Sequence, residues 1–300
     1  MTTAVPAGGF TAADLITLLE RACGTAGLNP DGAVLLRGHT HAVYRLAADP
    51  VVVKIARRGT SRESVHRTVH LVRWLIEQGF PTVGLHPVRQ PVEVGGHYAT
   101  FWAHLPQPDH PVAAEQLAAP LRSLHQFTEP PVQLPAVDTV TAIRRSLAVT
   151  VALTDEERAF LGLRLDRLEA DLAEVTYLLP PAVVQGDPQH RNALHTRDGG
   201  AVLCDWDTAA FGQPELDLVT VEIHCRRFGY GHDHYAQFAA RYGLDITTWD
   251  GYAPLAALRE LRMITTNAKR AAHGTDTLLE IRHRIAGLHA GDHRQRWHIL

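Results

Sequence analysis

The spacing of apolar residues predicts that the first third of the chain is built mainly of β-strands. Three short apolar segments, separated by turn-forming residues, predict an antiparallel meander over Ala33–Arg37, Ala42–Ala47 and Val51–Ala56. Further on, Pro87–Val94 and His97–Trp102 flank a Gly-Gly pair, which is typical of a hairpin. We therefore expect this part of the chain to form an antiparallel sheet.

Apolar residues at helical spacing predict helices before, within and after this β region. The first helix follows Thr11-Ala-Ala-Asp14, which resembles a capping box and precedes an apolar stripe beginning at Leu15. The second is expected to begin at Thr60, as the N-cap of a Thr60-x-x-Glu63 box, and to bury a stripe that ends at Ile76. Further helices are predicted over residues 113–127, 138–150, 154–177, 215–228, 232–242 and 252–272.

Two features interrupt or follow this helical region. Val183-Val184 and Ala201–Cys204 are expected to pair as a small hairpin on either side of the Asp198-Gly199-Gly200 turn. The basic tail from Arg282 to Trp297 is expected to be a solvated amphipathic helix followed by the terminus. The pattern as a whole is that of a helical second part carrying one β island.

These elements predict an α+β protein with two lobes. Residues 1–103 would form an N-terminal antiparallel β lobe with a helix, and residues 104–300 a larger, mainly helical C-terminal lobe. The first segment holds ten basic and seven acidic residues, and the second holds nineteen basic and twenty-five acidic ones. The acidic excess of the second lobe would suit a cationic small molecule.

Composition excludes several classes of protein. The chain is 45% hydrophobic and 20% charged, which is enough apolar material for a packed core. A net charge of −3 argues against a nucleic-acid-binding protein, and no apolar run approaches the roughly 18–20 residues that span a bilayer. The N-terminal residues lack the pattern of a secretory signal, and three scattered cysteines suit a reducing compartment. We expect a cytoplasmic protein.

Oxygen-bearing side chains follow two apolar strands of the second lobe. Asp187 and Asn192 lie five residues apart on the loop after Val184, and Asp205 ends the next strand. Carboxylate and amide oxygens are the hard ligands that Mg²⁺ prefers, and a further carboxylate could orient a hydroxyl group. Phosphoryl transfer depends mostly on such positioning and charge neutralisation. The pattern therefore indicates chemistry of that type.

The same stretch resembles the catalytic loop and metal-binding aspartate of the aminoglycoside phosphotransferase family, within the wider protein-kinase-like fold. The family pattern is roughly His-Gly-Asp-x4-Asn, then an apolar strand and Ile-Asp-Trp-Glu/Asp. Here Gln185-Gly-Asp187 and Cys-Asp205-Trp-Asp207 stand at those places. The segment Phe211–Leu218 resembles the Gly-x-Pro-x-x-Asp-Leu that usually follows, so the likeness extends well beyond one motif.

The first lobe carries the resemblance as well. The segment Gly38–Leu46 is similar to the phosphate-loop hairpin, and Val51–Lys54 is similar to the third strand, which carries a lysine. Only two of the 29 basic residues are lysines, Lys54 and Lys269. The resemblance covers most of residues 33–220 and implies a kinase-like fold that uses ATP or GTP together with Mg²⁺.

The resemblance implies roles for residues of the second lobe. Asp187 would orient the hydroxyl of a small-molecule acceptor, and Arg191 would contact the acceptor or the phosphoryl group in transfer. Asn192 and Asp205 would hold Mg²⁺ on the nucleotide phosphates. Asp217 would stabilise the catalytic loop through hydrogen bonds.

It also implies roles for the first lobe. Lys54 would pair with the α- and β-phosphates, Gly38 would belong to the phosphate loop, and the backbone around Trp102 and His104 would meet the adenine. The helix glutamate that usually pairs with the lysine is expected where Thr68 stands. Glu63 is the nearest carboxylate but already serves the capping box, and Asp205 is the other candidate partner.

Two more departures concern the loops. The histidine expected before the catalytic aspartate is Gln185, whose amide could donate one hydrogen bond and retain the geometry. The phosphate loop has only Gly38, with His39 and His41 where further glycines would be usual.

Several functions stay open from the sequence. The family suggests an antibiotic acceptor, especially an aminoglycoside or another hydroxylated antibiotic, but the same fold serves choline, homoserine and sugar kinases. A nucleotide-binding module with little transferase activity is an alternative from a different class. A protein kinase is disfavoured because the path from Asp205 to Asp217 is short and lacks an Ala-Pro-Glu segment. A zinc site at His224-Cys225 and His232-x-His234 is disfavoured by its spacing.

Overall fold

The structure is a computed structural model, and it describes residues 12–38, 41–272 and 274–300. Within these ranges the chain has the predicted α+β composition. The helices are α1 (Ala12–Ala26), α2 (Arg62–Glu77), α3 (Ala114–Leu124), α4 (Thr139–Val149), α5 (Asp155–Ala173), α6 (Glu215–Arg227), α7 (His232–Tyr242), α8 (Tyr252–Ala268) and α9 (Asp276–Ala290). The strands are β1 (Val34–Gly38), β2 (Ala42–Arg45), β3 (Val51–Ile55), β4 (Val92–Val94), β5 (His97–Ala103), β6 (Ala182–Val184), β7 (Ala193–His195), β8 (Ala201–Leu203) and β9 (Ala210–Gly212).

Residue contacts define two compact units, and both are discontinuous in sequence. Unit 1 contains the described residues up to Pro111 together with 130–134 and 193–207, and unit 2 contains 112–129, 135–192 and 208–300. The predicted lobes, 1–103 and 104–300, are contiguous segments, whereas these units are interleaved along the chain. The lobe boundary at residue 103 stays a prediction.

Unit 1 is built around an antiparallel sheet with the strand order β1-β2-β3-β5-β4. The predicted meander and hairpin are confirmed, although the strand before the Gly-Gly turn spans only Val92–Val94 rather than Pro87–Val94. Alternate residues of β3 are fully buried, and α1 contributes Leu15 and Leu18 to the same apolar core. The sheet is stable because it buries one continuous apolar face.

The second helix of unit 1 begins one residue later than the sequence predicted. Its N-cap is Ser61, whose hydroxyl accepts a hydrogen bond from the Ser64 amide at 3.1 Å, so Thr60 is not the cap. Val69 and Val72 are buried as predicted, but Ile76 is 42% exposed because it lies at the open end of the stripe. The predicted first capping box begins at Thr11, outside the described residues.

The pairing of the small β island was predicted wrongly. The Gly199 turn joins β7 to β8, with Leu194 opposite Val202, and this hairpin belongs to unit 1. Val183 pairs instead with Phe211 of β9 in unit 2. A strand immediately before the turn closes a much shorter connection than Val183 could, and short hairpin connections are favoured.

Unit 2 is mainly helical, as predicted. One apolar core of this unit lies among α4, α5, α8 and α9 and includes the fully buried side chains of Ile143, Leu161, Leu261 and Ile281. Dispersion and the removal of apolar surface from water stabilise this packing. No helix of the described ranges has both the length and the apolar composition to cross a bilayer.

The basic tail is a helix and terminus as predicted, and most of its arginines are exposed, but Arg284 is buried. Arg284 on α9 is 1% exposed and donates from Nε to Glu280 Oε1 at 2.7 Å. The ring of Trp297, itself buried, lies 4.7 Å from the Arg284 guanidinium carbon and 4.8 Å from that of Arg227. An arginine is tolerated here because it has both a carboxylate partner and an aromatic face.

Candidate active site

Lys54 lies in the middle of the unit 1 sheet. It pairs with Val43 of β2 on one side and with Thr100 of β5 on the other. The neighbouring Val53 and Ile55 are fully buried, so the alternation of the strand directs Lys54 to the opposite face. A central strand fixes the backbone of this lysine more firmly than an edge strand would.

The Lys54 ammonium is held by two carboxylates of unit 1. Its Nζ lies 2.6 Å from Asp205 Oδ1 and 2.7 Å from Asp207 Oδ2. Burial alone would lower the pKa of Lys54, but the two carboxylates outweigh burial and raise that pKa above its usual value. The group is therefore a fixed cation, and Asp205 is its partner, as one of the two sequence alternatives proposed.

Asp205 is held by an unusual backbone conformation. It follows β8, and its φ of 59° is the only positive value among the described non-glycine residues. Aspartate tolerates the left-handed region better than most residues, at a cost of roughly 1 kcal/mol or more. Such a conformation persists when the surroundings over-determine it, here through the ion pair with Lys54.

Asp207 and His41 extend this charge cluster. His41 Nε2 lies 2.9 Å from Asp207 Oδ2, the same oxygen that meets Lys54. Burial would raise the pKa of Asp207, but Lys54 first and His41 next hold it well below its usual range. Of the predicted phosphate-loop hairpin, Gly38–Leu46, the structure describes Gly38, which ends β1, and residues 41–46, whereas residues 39 and 40 lie outside the described residues.

The glutamate usually found on the helix is replaced by a different arrangement. Thr68 is buried and donates from its hydroxyl to the Ser64 carbonyl at 3.2 Å, within α2. Both ion pairs made by Lys54 in the described part of the chain go to the segment after β8 instead. In the described part of the chain, the carboxylates paired with Lys54 are therefore those of Asp205 and Asp207.

The end of β5, predicted to meet the adenine, is tightly bonded within unit 1. The Ala103 amide donates to the Gly84 carbonyl and the His104 amide to the Pro50 carbonyl, both at 2.8 Å. The Trp102 indole Nε1 donates to Thr100 Oγ1 at 2.9 Å. The backbone amides of Ala103 and His104 are therefore already hydrogen-bonded inside the unit. The adenine contact at Trp102 and His104 stays a prediction, which concerns their carbonyls and side chains.

In unit 2, the loop after β6 begins with Gln185 and Gly186. Gly186 has a φ of +83°, and a Cβ built on it would lie 2.3 Å from the Thr208 carbonyl oxygen. Only glycine fits this position. The loop is thereby held against the backbone that follows Asp207 in sequence.

Asp217 fixes the same loop through hydrogen bonds. Its side chain is fully buried and accepts from the Gln185 amide at 2.7 Å and from the Gly186 amide at 2.8 Å. His125 Nε2 lies 3.2 Å from the same carboxylate, and His125 Nδ1 lies 2.8 Å from the Tyr242 hydroxyl. Charge-assisted bonds to backbone amides are among the stronger ones, so this contact is well suited to hold the loop.

Gln185 holds the loop through its side-chain oxygen. Its side chain is fully buried, and its Oε1 accepts from the Asp187 amide at 2.7 Å, while the predicted donation by its side-chain amide stays a prediction. The Gln185 carbonyl accepts from Thr208 Oγ1 at 2.9 Å. A glutamine thus fixes the residue two positions later, Asp187, directly.

The Asp187 carboxylate has protein partners on both oxygens. Oδ1 accepts from the Arg259 guanidinium of α8, and Oδ2 accepts from Gln189 Nε2 at 2.8 Å and Asn192 Nδ2 at 3.2 Å. The same Asn192 amide also donates to the Asp187 carbonyl at 2.8 Å. Asp187 and Asn192 are thus brought together, with the Asn192 amide oxygen outside these bonds.

Sequence analysis missed Arg259 and Gln189. Arg259 contacts Asp187 across 72 positions of the chain, from the face of a long helix that carries no motif. The only sequence signal was an arginine on a helix of the predicted acceptor lobe. Gln189 could have been inferred from its place two residues after Asp187.

Arg191 is exposed and lies in the short 3₁₀ turn His190–Asn192. Its charge lowers the pKa of Tyr230, although burial outweighs it and raises that pKa overall. The neighbouring His190 is buried, and its ring packs edge-on to Tyr230, with ring centroids 3.8 Å apart. Arg191 and Tyr230 are therefore near each other in unit 2.

The predicted site residues fall into two groups, one in each unit. Lys54, Asp205 and Asp207 are joined by ion pairs in unit 1, together with His41. Gln185, Asp187, Asn192 and Asp217 are joined by hydrogen bonds in unit 2. The chain passes from the second group to the first between Asn192 and Ala193.

Each of the two predicted metal ligands has, taken by itself, the donor chemistry that Mg²⁺ prefers. Asp205 offers carboxylate oxygens and Asn192 an amide oxygen, both hard ligands. Among the residues that the structure describes, no group of three or more His, Cys, Asp or Glu side chains could hold a metal by itself. Mg²⁺ takes one or two protein oxygens together with substrate phosphates in kinase sites, so such a cage is not required.

A comparison with protein families finds one match. Residues 31–258, well over half of the chain, match the APH model, described as the phosphotransferase enzyme family. The matched segment contains both groups of site residues, from Gly38 to Asp217. No curated protein matches the chain.

Solved structures share the fold at low sequence identity. An amicoumacin kinase in complex with AMP-PNP and Ca²⁺ is 14% identical with a TM-score of 0.69, over 90% of this chain and 91% of the other. The choline kinase LicA from Streptococcus pneumoniae is 12% identical with a TM-score of 0.70, over 92% and 99%. An aminoglycoside-3'-phosphotransferase of type VIII is 22% identical with a TM-score of 0.59, over 81% and 98%. These likenesses confirm the predicted protein-kinase-like fold.

Proposed function

The chain belongs to the phosphotransferase enzyme family, and on that premise we propose that it uses Mg²⁺ and ATP or GTP to phosphorylate a hydroxyl group of a small molecule. The observation that carries the proposal is the ion pair of Lys54 with Asp205, at 2.6 Å. The ion pair places the Lys54 ammonium, which is suited to bind nucleotide phosphates, beside the Asp205 carboxylate, which is suited to bind the metal. Phosphoryl transfer relies on this kind of charge placement.

We assign nucleotide binding to the predicted N-terminal lobe, residues 1–103. Lys54 would bind the α- and β-phosphates, and Gly38 with its loop would cover them. Asp205 and Asn192 would bind Mg²⁺, which neutralises charge on the phosphates when it is bound. The backbone carbonyls near Trp102 and His104 would meet the base.

We assign the acceptor to the predicted C-terminal lobe, residues 104–300, and its hydroxyl to Asp187. The acceptor oxygen forms a bond to the γ-phosphorus while the bond to the bridging oxygen breaks. The electron pair of that bond leaves with the nucleoside diphosphate, and the hydroxyl proton passes to Asp187 and then to solvent. Arg191 would neutralise charge on the acceptor or on the phosphoryl group.

Gln185 and Asp217 act indirectly in this proposal. Gln185 accepts from the Asp187 amide, and Asp217 accepts from the two preceding amides. Both contacts reduce the motion of Asp187 relative to the rest of unit 2. Positioning of this kind accounts for much of the rate in phosphoryl transfer.

For the acceptor we propose a hydroxylated antibiotic, with a primary metabolite of the choline, homoserine or sugar type as the alternative. Family resemblance supports an antibiotic, and an aminoglycoside is one such class. We also propose the cytosol as the compartment, because Cys23, Cys204 and Cys225 are free thiols.

The experiment is a mass-spectrometric screen of Mg-ATP and Mg-GTP reactions against aminoglycoside, macrolide, nucleoside and peptide antibiotics and against the three metabolite classes. We expect one acceptor to gain a single phosphate while the nucleoside diphosphate is released. Tight Mg-ATP binding without a phosphorylated product from any acceptor would favour a nucleotide-binding module and overturn the proposal.

A further inference from the structure

Two arginines lie one helical turn apart beside the proposed hydroxyl-orienting residue. Arg259 and Arg262 are three positions apart on α8, so their side chains emerge from the same face of the helix. Arg259 donates from Nη2 to Asp187 Oδ1 and is largely buried. Their backbone positions are therefore about 4.5 Å apart along the helix axis.

Arg262 has only neutral hydrogen-bond partners. Its Nη1 donates to the Ala142 carbonyl at 3.2 Å and to Ser146 Oγ at 3.1 Å, and no carboxylate pairs with it in the described part of the chain. Burial lowers the pKa of Arg262, and Arg259 and then Arg270 lower it further. A half-buried guanidinium without an anion is costly, so an acidic ligand would be stabilising here.

The acidic excess of the C-terminal segment lies elsewhere. Much of it is on α5, where Asp155, Glu156, Asp166, Glu169 and Asp171 are exposed. These carboxylates form a solvated helix face rather than the lining of a pocket.

Three buried carboxylates of unit 2 are paired with arginines. Glu222 and Glu260 are ion-paired with Arg226, and Glu280 is ion-paired with Arg284. None of them is left to bind a cationic acceptor, so net charge is a poor guide to the surroundings of Asp187.

We propose that the acceptor carries an acidic group, either a carboxylate or a phosphate ester, which Arg262 binds together with Arg259. The proposal rests on the function proposed above, because it places the acceptor hydroxyl at Asp187. The acidic group would lie on the side of the reacting hydroxyl that faces α8, because both arginines emerge from the same face of that helix. A polycationic aminoglycoside would meet like charge at the same place.

The first experiment compares acceptors that share a ring and differ in charge. Glucuronate, glucose and glucosamine are offered at equal concentrations with Mg-ATP, alongside the antibiotic and metabolite panel sorted by charge. Phosphorylated product is measured by mass and kcat/KM by release of ADP. We expect acidic acceptors to exceed cationic ones by roughly tenfold to a hundredfold, the effect of one charge-assisted hydrogen bond pair.

The second experiment removes the charge at Arg262. Arg262→Gln keeps hydrogen-bonding groups, and we expect it to raise KM for the best acidic acceptor roughly tenfold while kcat and the KM for ATP change little. Turnover of the matching neutral acceptor should be unaffected, which a general loss of structure would not allow. Arg262→Lys should recover part of the effect.

The control variant is Arg144→Gln. Arg144 lies on α4 and is half exposed, with ion pairs only to surface carboxylates of α5. We expect it to leave all kinetic constants unchanged.

The outcomes separate this inference from the function on which it rests. Phosphorylation of cationic acceptors but not acidic ones, or an Arg262→Gln variant with equal losses for acidic and neutral acceptors, would overturn the acidic-acceptor assignment and leave the kinase function intact. Absence of product from every acceptor, despite Mg-ATP binding, would overturn the proposed function and the assignment with it. The ratio of kcat/KM between carboxylate and phosphate-ester acceptors shows which of the two acidic groups the site binds.

Discussion

Lys54 shows why residue type matters at a single strand position. Its compact ammonium meets one oxygen of Asp205 and one of Asp207 at 2.6 and 2.7 Å. An arginine would present a planar fork on a longer stem and could not place one point charge between the two carboxylates. In a chain with 27 arginines, the lysine here follows from this geometry rather than from composition.

We therefore predict that Lys54→Arg weakens productive nucleotide binding although it keeps the charge. The KM for ATP should rise about tenfold, the effect of one strong charge-assisted contact. Steady-state kinetics with ATP as the varied substrate would measure the change. The matched control is Lys269→Arg at the exposed end of α8, which should leave KM unchanged; equal effects of the two substitutions would contradict the role of Lys54.

At the residue scale, the sequence predicted those candidate site residues that belong to a short local motif. Lys54, Asp187 and Asp205 were found because each stands at a fixed distance from an apolar strand. Arg259 was not found, because its contact with Asp187 depends on how α8 packs in unit 2. A contact across 72 positions leaves no trace in spacing.

At the scale of elements, the N-terminal turn of α6 stabilises the catalytic loop. Asp217 accepts hydrogen bonds from two consecutive backbone amides, those of Gln185 and Gly186. It also lies next to His125, the C-cap residue of α3. Because the carboxylate is fully buried, its bonds are not screened by water. The loop is therefore fixed by an element that follows it in the chain.

We predict that Asp217→Asn destabilises the protein and slows transfer. One carboxylate oxygen becomes an NH₂ group facing a backbone N–H, which should lower the free energy of unfolding by about 3 kcal/mol. Denaturant titration would measure the loss, and single-turnover kinetics would report on the loop. Asp171→Asn, on the exposed face of α5, serves as control and should be near neutral; an Asp217→Asn variant of unchanged stability would contradict the assignment.

Elements were predicted well where the apolar pattern was long and poorly where it was short. The meander around β3 and the helix α7 agree with their predicted positions. Among the three-residue strands, β6 was wrongly paired with β8, and β7 and β9 were not predicted, because such short segments carry no alternation that selects a partner. The burial of Arg284 was missed because a basic segment gives no sign of its aromatic cover, Trp297.

At the scale of the whole molecule, buried histidines connect folding to pH. His224 on α6 is buried, and its Nε2 has no hydrogen-bond partner among the described residues. Burial first, and the charge of Arg259 next, hold the pKa of His224 well below its usual value. The neutral form is therefore the one compatible with the folded state.

We predict that the protein loses stability as pH falls below about 6.5. In that window an unfolded chain protonates this imidazole while the folded chain does not, so protons favour unfolding. The contribution of His224 is up to about 1.4 kcal/mol per pH unit.

Urea titrations at pH 7 and pH 5 would measure that contribution. Between pH 7 and pH 5, His224→Phe should lose less free energy of unfolding than the unsubstituted protein. His293→Phe, at an exposed position, should lose as much as the unsubstituted protein. An equal loss in His224→Phe would show that this histidine is not responsible.

Net charge was the whole-molecule property that led the sequence prediction to favour a cationic acceptor. The C-terminal segment is acidic overall, yet Asp187 is contacted by Arg259, and Arg262 follows one turn later. A lobe's net charge averages over solvated helix faces and buried ion pairs, whereas a ligand meets only the groups around its own site.

The central claim is that Asp187 orients the acceptor hydroxyl in a nucleotide-dependent phosphotransferase. The most direct measurement compares Asp187→Asn with the unsubstituted protein for both Mg-ATP affinity and single-turnover phosphorylation of the acceptor that the screen turns over best. We expect the affinity for Mg-ATP to change less than about threefold and the transfer rate to fall by about a hundredfold or more. An Asp187→Asn variant that keeps full transfer activity would contradict the account.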